Sequence, residues 1–137
     1  RAEMNLAHYF KEKKGTGVLA TANAEGQVNG AIYARPHFLD AGEPEKLAFI
    51  MRDRLSHKYL ESNPHAFYTF IEEGEGYKGT RLALTKISEE TDPKRIASLR
   101  RRNLPAICFE GKEGEPFFLV HFRVESSRPL VGSGEER

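Results

Sequence analysis

Short apolar runs and the turns between them dominate the pattern of this chain. Most of the runs alternate with the period of two that is typical of strands, and glycine, proline or asparagine separates them. The predicted strands are residues 17–22, 28–35, 47–51, 65–71, 77–87, 107–109 and 117–124. In strand 77–87, Leu82, Leu84 and Ile87 roughly alternate. The last strand is predicted to have one apolar face, formed by Phe118, Val120, Phe122 and Val124. Six or seven strands at hairpin spacing predict a mostly antiparallel β-barrel, because the connections are too short for repeated parallel crossovers.

Three segments show helical spacing of their apolar residues instead. They are residues 3–13, 55–61 and 92–104. The third begins at Asp92-Pro93, where aspartate is a favourable N-cap and proline suits the first helical position. Its apolar residues Ile96 and Leu99 are expected to face the core. The predicted fold class is therefore mostly β with a few short helices (α+β).

Composition narrows the class of protein. The 137 residues fit one domain, with an N-terminal helix in 1–14 and a loose polar tail in 126–137. Lysine and arginine number 21 against 20 acidic residues, so the net charge of +1 predicts no general attraction to nucleic acid or to a membrane. The single cysteine, Cys108, excludes an internal disulfide, and no apolar run approaches the roughly 20 residues that span a bilayer. We expect a cytoplasmic protein.

A basic cluster follows the predicted buried strand 47–51. Residues 52–58 read Arg-Asp-Arg-Leu-Ser-His-Lys and lie where the second helix is predicted to start. Free N–H groups and the positive end of the helix dipole favour an anion there, and a phosphate group suits this mixture of cations and hydroxyl. The alternative interpretation is a solvated polar loop.

The second predicted strand has small side chains at its centre, and we call it the thin strand. Gly30 and Ala31 stand side by side in residues 28–36, so a planar ligand would be able to approach the backbone closely. Main-chain N–H and C=O groups would then be available to the polar edge of a bound ring. The alternative is a strand made thin in order to pack against a neighbouring strand.

Other patterns in the sequence give weaker evidence about function. The five histidines show no spacing typical of a metal site, so no metal is predicted. A nucleic-acid-binding barrel is an alternative class, since Phe67, Tyr68 and Phe70 are aromatic side chains of the kind that stack on bases. Their place in a predicted strand favours core positions instead.

In these segments the sequence resembles the pyridoxamine 5′-phosphate oxidase-like FMN-binding family. The match runs from Gly-Val-Leu-Ala-Thr-Ala-Asn at 17–23, through Leu-Ser-His-Lys at 55–58 and Asn63-Pro64, to the closing strand 117–124. The resemblance implies a split β-barrel that binds FMN between two subunits, with the flavin against the second strand. It therefore implies a homodimer, and we expect strand 77–87 near the subunit contact.

The resemblance also implies which residues bind the cofactor. By position these are Asn29, Gly30, Ala31, Ile32, Met51, Arg52, Ser56, His57 and Lys58. Residues 29–32 would line the isoalloxazine, and Met51 would lie at the ribityl chain or the ring edge. Lys58 and His57 would contact the phosphate, with Ser56 and Arg52 nearby. No catalytic residue is implied.

An FMN-dependent oxidoreductase acting on a small-molecule electron donor or acceptor is the function that the resemblance implies. The oxidase itself has a Trp- and Arg-containing C-terminal segment that helps to bind pyridoxal phosphate, whereas this sequence contains no Trp. We therefore do not expect pyridoxamine phosphate as the substrate, which stays unassigned. The alternative is a non-enzymatic flavin-binding or electron-transfer protein.

Overall fold

Six strands and three helices follow one another in residues 5–40, 42–103 and 117–132, the parts of the chain that the computed structural model describes. The helices are α1 (Leu6–Glu12), α2 (Leu55–Ser62) and α3 (Pro93–Asn103). The strands are β1 (Gly15–Ala22), β2 (Val28–Ile32), β3 (Lys46–Arg52), β4 (His65–Glu72), β5 (Gly79–Glu90) and β6 (Phe117–Pro129). They form one antiparallel sheet in the order β2-β1-β4-β5-β6-β3. The predicted fold class is confirmed.

The sheet curls into a half-barrel, and the connection between β2 and β3 crosses from one edge strand to the other. At its start, the Tyr33 N–H donates to the Gly17 carbonyl at 2.9 Å, which holds the connection against β1. Further along, His37 and Ala48 exchange two backbone hydrogen bonds of 2.8 Å, so the connection also pairs with β3. This crossing connection joins the two edges of the split barrel.

The inside of the barrel holds most of the core, which we call the inner layer. Its buried members are Leu6, Phe10, Leu19, Leu47, Phe49, Met51, Leu60, Ala66, Tyr68, Phe70, Leu82, Leu84, Val120 and Phe122. Tyr68 and Phe70 are fully buried among them. These two aromatic side chains therefore fill the core, as predicted, and do not support stacking on nucleic-acid bases. The core position predicted for Phe67 is wrong, because Phe67 is only half-buried on the other face of β4.

A second, smaller layer lies on the opposite face of β3 and β6, under α3. Ile96 and Leu99 of α3 pack there against Ala48 and Leu119, so their predicted inward orientation is confirmed. The predicted apolar face of the last strand is also confirmed, and its members lie in or against the inner layer: Phe118, Val120, Phe122 and Val124. Strand β3 is covered on both faces, which explains its continuous apolar run.

Helix α1 and the crossing connection hold each other in place. The helix starts after Asn5, whose side chain accepts a hydrogen bond from the His8 N–H at 3.1 Å, so α1 is shorter than the predicted 3–13. At the other end, the Arg35 guanidinium donates to the carbonyls of Phe10 and Lys13 at 2.8 and 2.7 Å. A cation at this end also suits the helix dipole.

The last strand is longer than predicted, and the loose tail expected from Ser126 is wrong for its first four residues. Ser126 pairs with Ala83 of β5, and Pro129 pairs with Thr80. The Thr80 hydroxyl also donates to the Arg128 carbonyl at 3.1 Å. Polar residues occur here because this end of the strand is exposed, and exposure of an antiparallel strand does not prevent its backbone from pairing.

Strand β5 departs from simple alternation. Its register against β6 shifts between Ala83 and Leu84 and again between Lys86 and Ser88. Ile87 is 40% exposed, so the prediction that it alternates with the buried Leu82 and Leu84 is wrong. A bulge reorients the residues beyond it, which explains the difference.

Two further predictions concern the strand that contains the cysteine and the presence of a membrane span. The predicted strand 107–109, with Cys108, lies outside the described residues. Within the described ranges, no helix has the length and apolar character needed to cross a membrane.

Candidate functional site

A cavity of about 350 Å³ lies between β2, the crossing connection, β3 and the start of α2. Its volume is within the range of about 300 to 1,000 Å³ that is typical of small-molecule sites. The lining residues are Asn29, Ala31, Ile32, Tyr33, Ala34, Arg35, His37, Phe49, Ile50, Arg52, Arg54, Leu55, Ser56 and Phe117. The thin strand and the basic cluster that the sequence singled out separately therefore line one cavity.

A group of three polar side chains, which we call the polar node, joins the two segments. The Asn29 side-chain amide donates to the Ser56 hydroxyl at 3.2 Å, and that hydroxyl is also hydrogen bonded to Tyr33. Burial raises the pKa of the Tyr33 phenol, although the hydrogen bond with Ser56 and the charge of Arg54 act in the opposite direction. The node thus presents neutral amide and hydroxyl groups to a ligand.

Three guanidinium groups make this cavity suitable for an anion. Arg35 lines it but is already bonded to the end of α1. Arg52 lies over the Phe117 ring with its guanidinium carbon 5.2 Å from the ring centre, a cation–π contact that orients the side chain. Arg54 directly precedes α2, where the helix dipole adds to its charge.

The opposite wall is apolar and aromatic. The Tyr33 ring meets the Phe49 ring edge-on, with 5.8 Å between their centres. Ala31 lies beside them with only a methyl side chain, so the β2 backbone at this wall stays close to the cavity. The lining of the cavity therefore combines basic and hydroxyl groups with apolar and aromatic ones.

Comparison with solved structures shows which known proteins share this fold. HupZ of Group A Streptococcus is 16% identical and aligns over 100% of both chains with a TM-score of 0.67. An FMN-binding protein from Syntrophomonas wolfei is 10% identical, with 93% of this chain and 85% of the other covered and a TM-score of 0.69. A Clostridium acetobutylicum protein related to general stress protein 26, of the pyridoxinephosphate oxidase family, is 14% identical, with coverages of 90% and 87% and a TM-score of 0.60.

The chain has the fold of these proteins. The resemblance stated from the sequence is confirmed at this level. No family model matches the sequence, and no curated protein matches it either.

In this split barrel, five of the nine residues assigned to FMN by position line the cavity. They are Asn29, Ala31, Ile32, Arg52 and Ser56. The polar node brings Asn29 and Ser56 into contact although they are 27 positions apart in sequence. Contact of these residues with a cofactor stays a prediction.

The other four lie around the cavity without lining it. Met51 is fully buried in the inner layer, and Gly30 is exposed between the exposed Val28 and Ile32. His57 is buried on the far side of α2, where it hydrogen bonds to Asp53 and Glu89. Their predicted contacts with FMN likewise stay predictions.

The fourth, Lys58, is exposed on α2. Its backbone N–H donates to the Arg54 carbonyl at 3.0 Å, so it lies one helical turn beyond Arg54. Arg54 itself precedes α2 with an extended backbone, so the direction of its side chain does not follow the faces of the helix. The contact of Lys58 with the phosphate stays a prediction.

Among the lining residues that sequence reasoning did not assign to the cofactor are Tyr33 and Arg54. Both stood in segments that were singled out, Tyr33 in the thin strand and Arg54 in the basic cluster. Alternation along β2 was the available signal for Tyr33, because residues at spacing two from Asn29 share its face. For Arg54 no signal separated it from its neighbours, since the direction of a side chain in a turn depends on the turn's geometry.

Proposed function

We propose that this chain binds FMN in the cavity between β2 and α2, and that it is an FMN-dependent oxidoreductase acting on a small-molecule electron donor or acceptor. The hydrogen bond between Asn29 and Ser56 carries the proposal, because it joins the thin strand and the basic cluster at one site. The names of similar structures support it, since one is an FMN-binding protein and another is of the pyridoxinephosphate oxidase family.

The residues of the cavity fit both ends of FMN. The guanidinium groups of Arg52 and Arg54 and the Ser56 hydroxyl offer charge-assisted hydrogen bonds to a terminal phosphate. The apolar side chains of Ala31 and Phe49 suit contact with an aromatic ring. Bound FMN would supply the hydride or electron transfer. The chain's own residues would bind it, orient it and exclude water.

FMN is expected to bind at least about tenfold more tightly than riboflavin, which lacks the phosphate. The reason is that a hydrogen bond to a charged group contributes about 1.5 to 3 kcal/mol. FAD is also expected to bind more weakly than FMN, since the sequence has no adenylate-binding motif. Titration of each flavin into flavin-free protein, followed by flavin fluorescence quenching, measures the three affinities. Equal affinities for riboflavin and FMN would mean that the cavity has no phosphate site.

A homodimer is the second part of the proposal, because one wall of the cavity is exposed. Ile32 lines the cavity and is nevertheless 70% exposed at the edge of the sheet. Ile32 belongs to the outer face of the sheet, which continues from β2 across β1 and β4 to β5. One row of paired residues on this face is Ile32, Val18, Thr69 and Arg81, and the next row is Gly30, Ala20, Phe67 and Ala83. These mostly small or apolar side chains allow close approach of a second copy. This face includes β5, near which the subunit contact was predicted.

Ile32→Glu is expected to convert the dimer to a monomer, because a carboxylate would be buried without a partner at the proposed contact. Light scattering at micromolar concentration measures the mass of each variant. Val131→Glu is the control, since Val131 is similarly exposed at 66% but lies beyond β6. A wild-type monomer that still binds flavin would contradict the proposed dimer.

A further inference from the structure

His57 is held on both sides by carboxylates. It is buried with 3% of its surface exposed. Its Nδ1 lies 3.1 Å from Asp53 Oδ1, and its Nε2 lies 3.0 Å from Glu89 Oε1. The ring stacks on Phe118 with centres 4.0 Å apart and planes inclined by 14°. The position and the orientation of the imidazole are therefore fixed by three different elements.

Both ring nitrogens of His57 face a carboxylate. An ionised carboxylate only accepts hydrogen bonds, so each N–H that the ring carries has an acceptor. Glu89 also accepts from the Lys86 ammonium at 2.8 Å. Burial opposes ionisation of Glu89, but the hydrogen bonds from Lys86 and His57 outweigh it and keep the pKa of this carboxyl below its ordinary value. The network thus joins Asp53, His57, Glu89 and Lys86 through successive hydrogen bonds.

The network ends at the turn that carries the cavity's cations. Asp53 lies between Arg52 and Arg54, both of which line the cavity, and His57 directly follows Ser56 of the polar node. Glu89 belongs to β5, 32 positions further along the chain. His57 therefore connects the basic turn to a strand in the middle of the sheet.

We propose that His57 is a positioning residue, whose imidazole ring holds the Arg52–Arg54 turn against β5 and does not itself contact the phosphate. The inference rests on the proposed function for its ligand, but the hold on the turn exists without any ligand. It assigns His57 a different role from the direct phosphate contact that the family resemblance implies. It also makes Glu89, which does not line the cavity, a determinant of anion affinity.

Glu89→Gln is the decisive variant, with Glu90→Gln as its matched control. Both carboxylates are about equally exposed, at 30% and 31%, and both are bonded to a histidine. Glu90 is bonded to His121 at 2.7 Å and to Arg95, on the side of the strand away from the basic turn. The measurements are the FMN and riboflavin affinities of both variants, of His57→Gln and of the His57→Gln/Glu89→Gln double variant.

Glu89→Gln is expected to weaken FMN binding about tenfold, with riboflavin binding and the Glu90→Gln variant unchanged. Because His57 acts through Glu89, the double variant should bind FMN no more weakly than His57→Gln alone. Unchanged FMN affinity in Glu89→Gln, beside a loss in His57→Gln, would mean that His57 contacts the ligand directly and would overturn the proposal.

Hydrogen exchange of the ligand-free protein separates this proposal from the proposed function. The backbone N–H groups of Arg54 and Lys58 are bonded within the turn and the first helical turn, to the carbonyls of Arg52 and Arg54. They should exchange faster in Glu89→Gln than in Glu90→Gln. If wild-type protein binds no FMN, the proposed function fails and this measurement still decides the positioning role. Equal exchange in both variants would overturn it.

Discussion

Arg54→Ala is expected to weaken FMN binding about tenfold to hundredfold while riboflavin binding barely changes. The reason is that the substitution removes a charge-assisted contact of about 1.5 to 3 kcal/mol with the phosphate, and each 1.4 kcal/mol is about tenfold in affinity. Arg54 is exposed, so the fold should survive its loss. The measurement is a pair of titrations, with FMN and with riboflavin, at fixed salt, since salt screens exposed charges.

Lys58→Ala belongs in the same experiment. The family resemblance implies that Lys58 contacts the phosphate, so its loss should show the same selectivity for FMN over riboflavin. Lys94→Ala is the control, because Lys94 is equally basic and exposed but belongs to α3. A uniform loss for both flavins, or the same loss in the Lys94 variant, would mean that the phosphate lies elsewhere.

Gly17→Ala is expected to destabilise the protein by about 1 to 3 kcal/mol, the usual cost of overpacking a core. A Cβ at this position would lie 1.9 Å from the Tyr68 hydroxyl oxygen and 2.3 Å from the ring carbon that carries it. Tyr68 is fully buried, and its hydroxyl donates to the carbonyls of Tyr33 and Ala34 at 3.1 and 3.2 Å. Tyr68 therefore cannot move away without breaking these hydrogen bonds to two residues that line the cavity.

Gly30→Ala is the matched control for that substitution. Gly30 lies in the neighbouring strand, and within one copy of the chain a Cβ there would meet only Val18 Cγ1 at 3.7 Å, an ordinary contact. Replacement of glycine at a compatible site removes freedom from the unfolded chain, so a gain of about 0.4 to 1 kcal/mol is expected. Urea unfolding measures both variants. Equal stability of Gly17→Ala and the wild type would show that the core around Tyr68 is looser than described.

Much of the fold was predictable because its signals are local. Alternation in β6 predicted the inner face correctly, and Asp92-Pro93 marked the start of α3. The bulges of β5 were not predictable, since a register shift depends on how two strands pair across the sheet. The shift between Lys86 and Ser88 moves Ile87 out of its expected place. The continued pairing of β6 beyond Ser126 was missed for a similar reason, because backbone pairing leaves little trace in polar side chains.

The candidate site was predictable in its segments but not in its contacts. The basic cluster and the thin strand each had a local signal, and the structure brings them together through Asn29 and Ser56. The direction of His57 had no such signal. Its partner Glu89 is far away in sequence and lies just beyond the second register shift of β5. Only the paired strands show that this histidine turns away from the cavity.

A crystal structure of the protein with FMN decides whether the cavity is a flavin site. We expect flavin density in the cavity between β2 and α2, with the phosphate near Arg54 and Ser56 and the ring against Ala31. We also expect His57 to stay bonded to Asp53 and Glu89 in that structure. Flavin density at a different surface, or none at saturating FMN, would contradict the claim that this cavity is a flavin site.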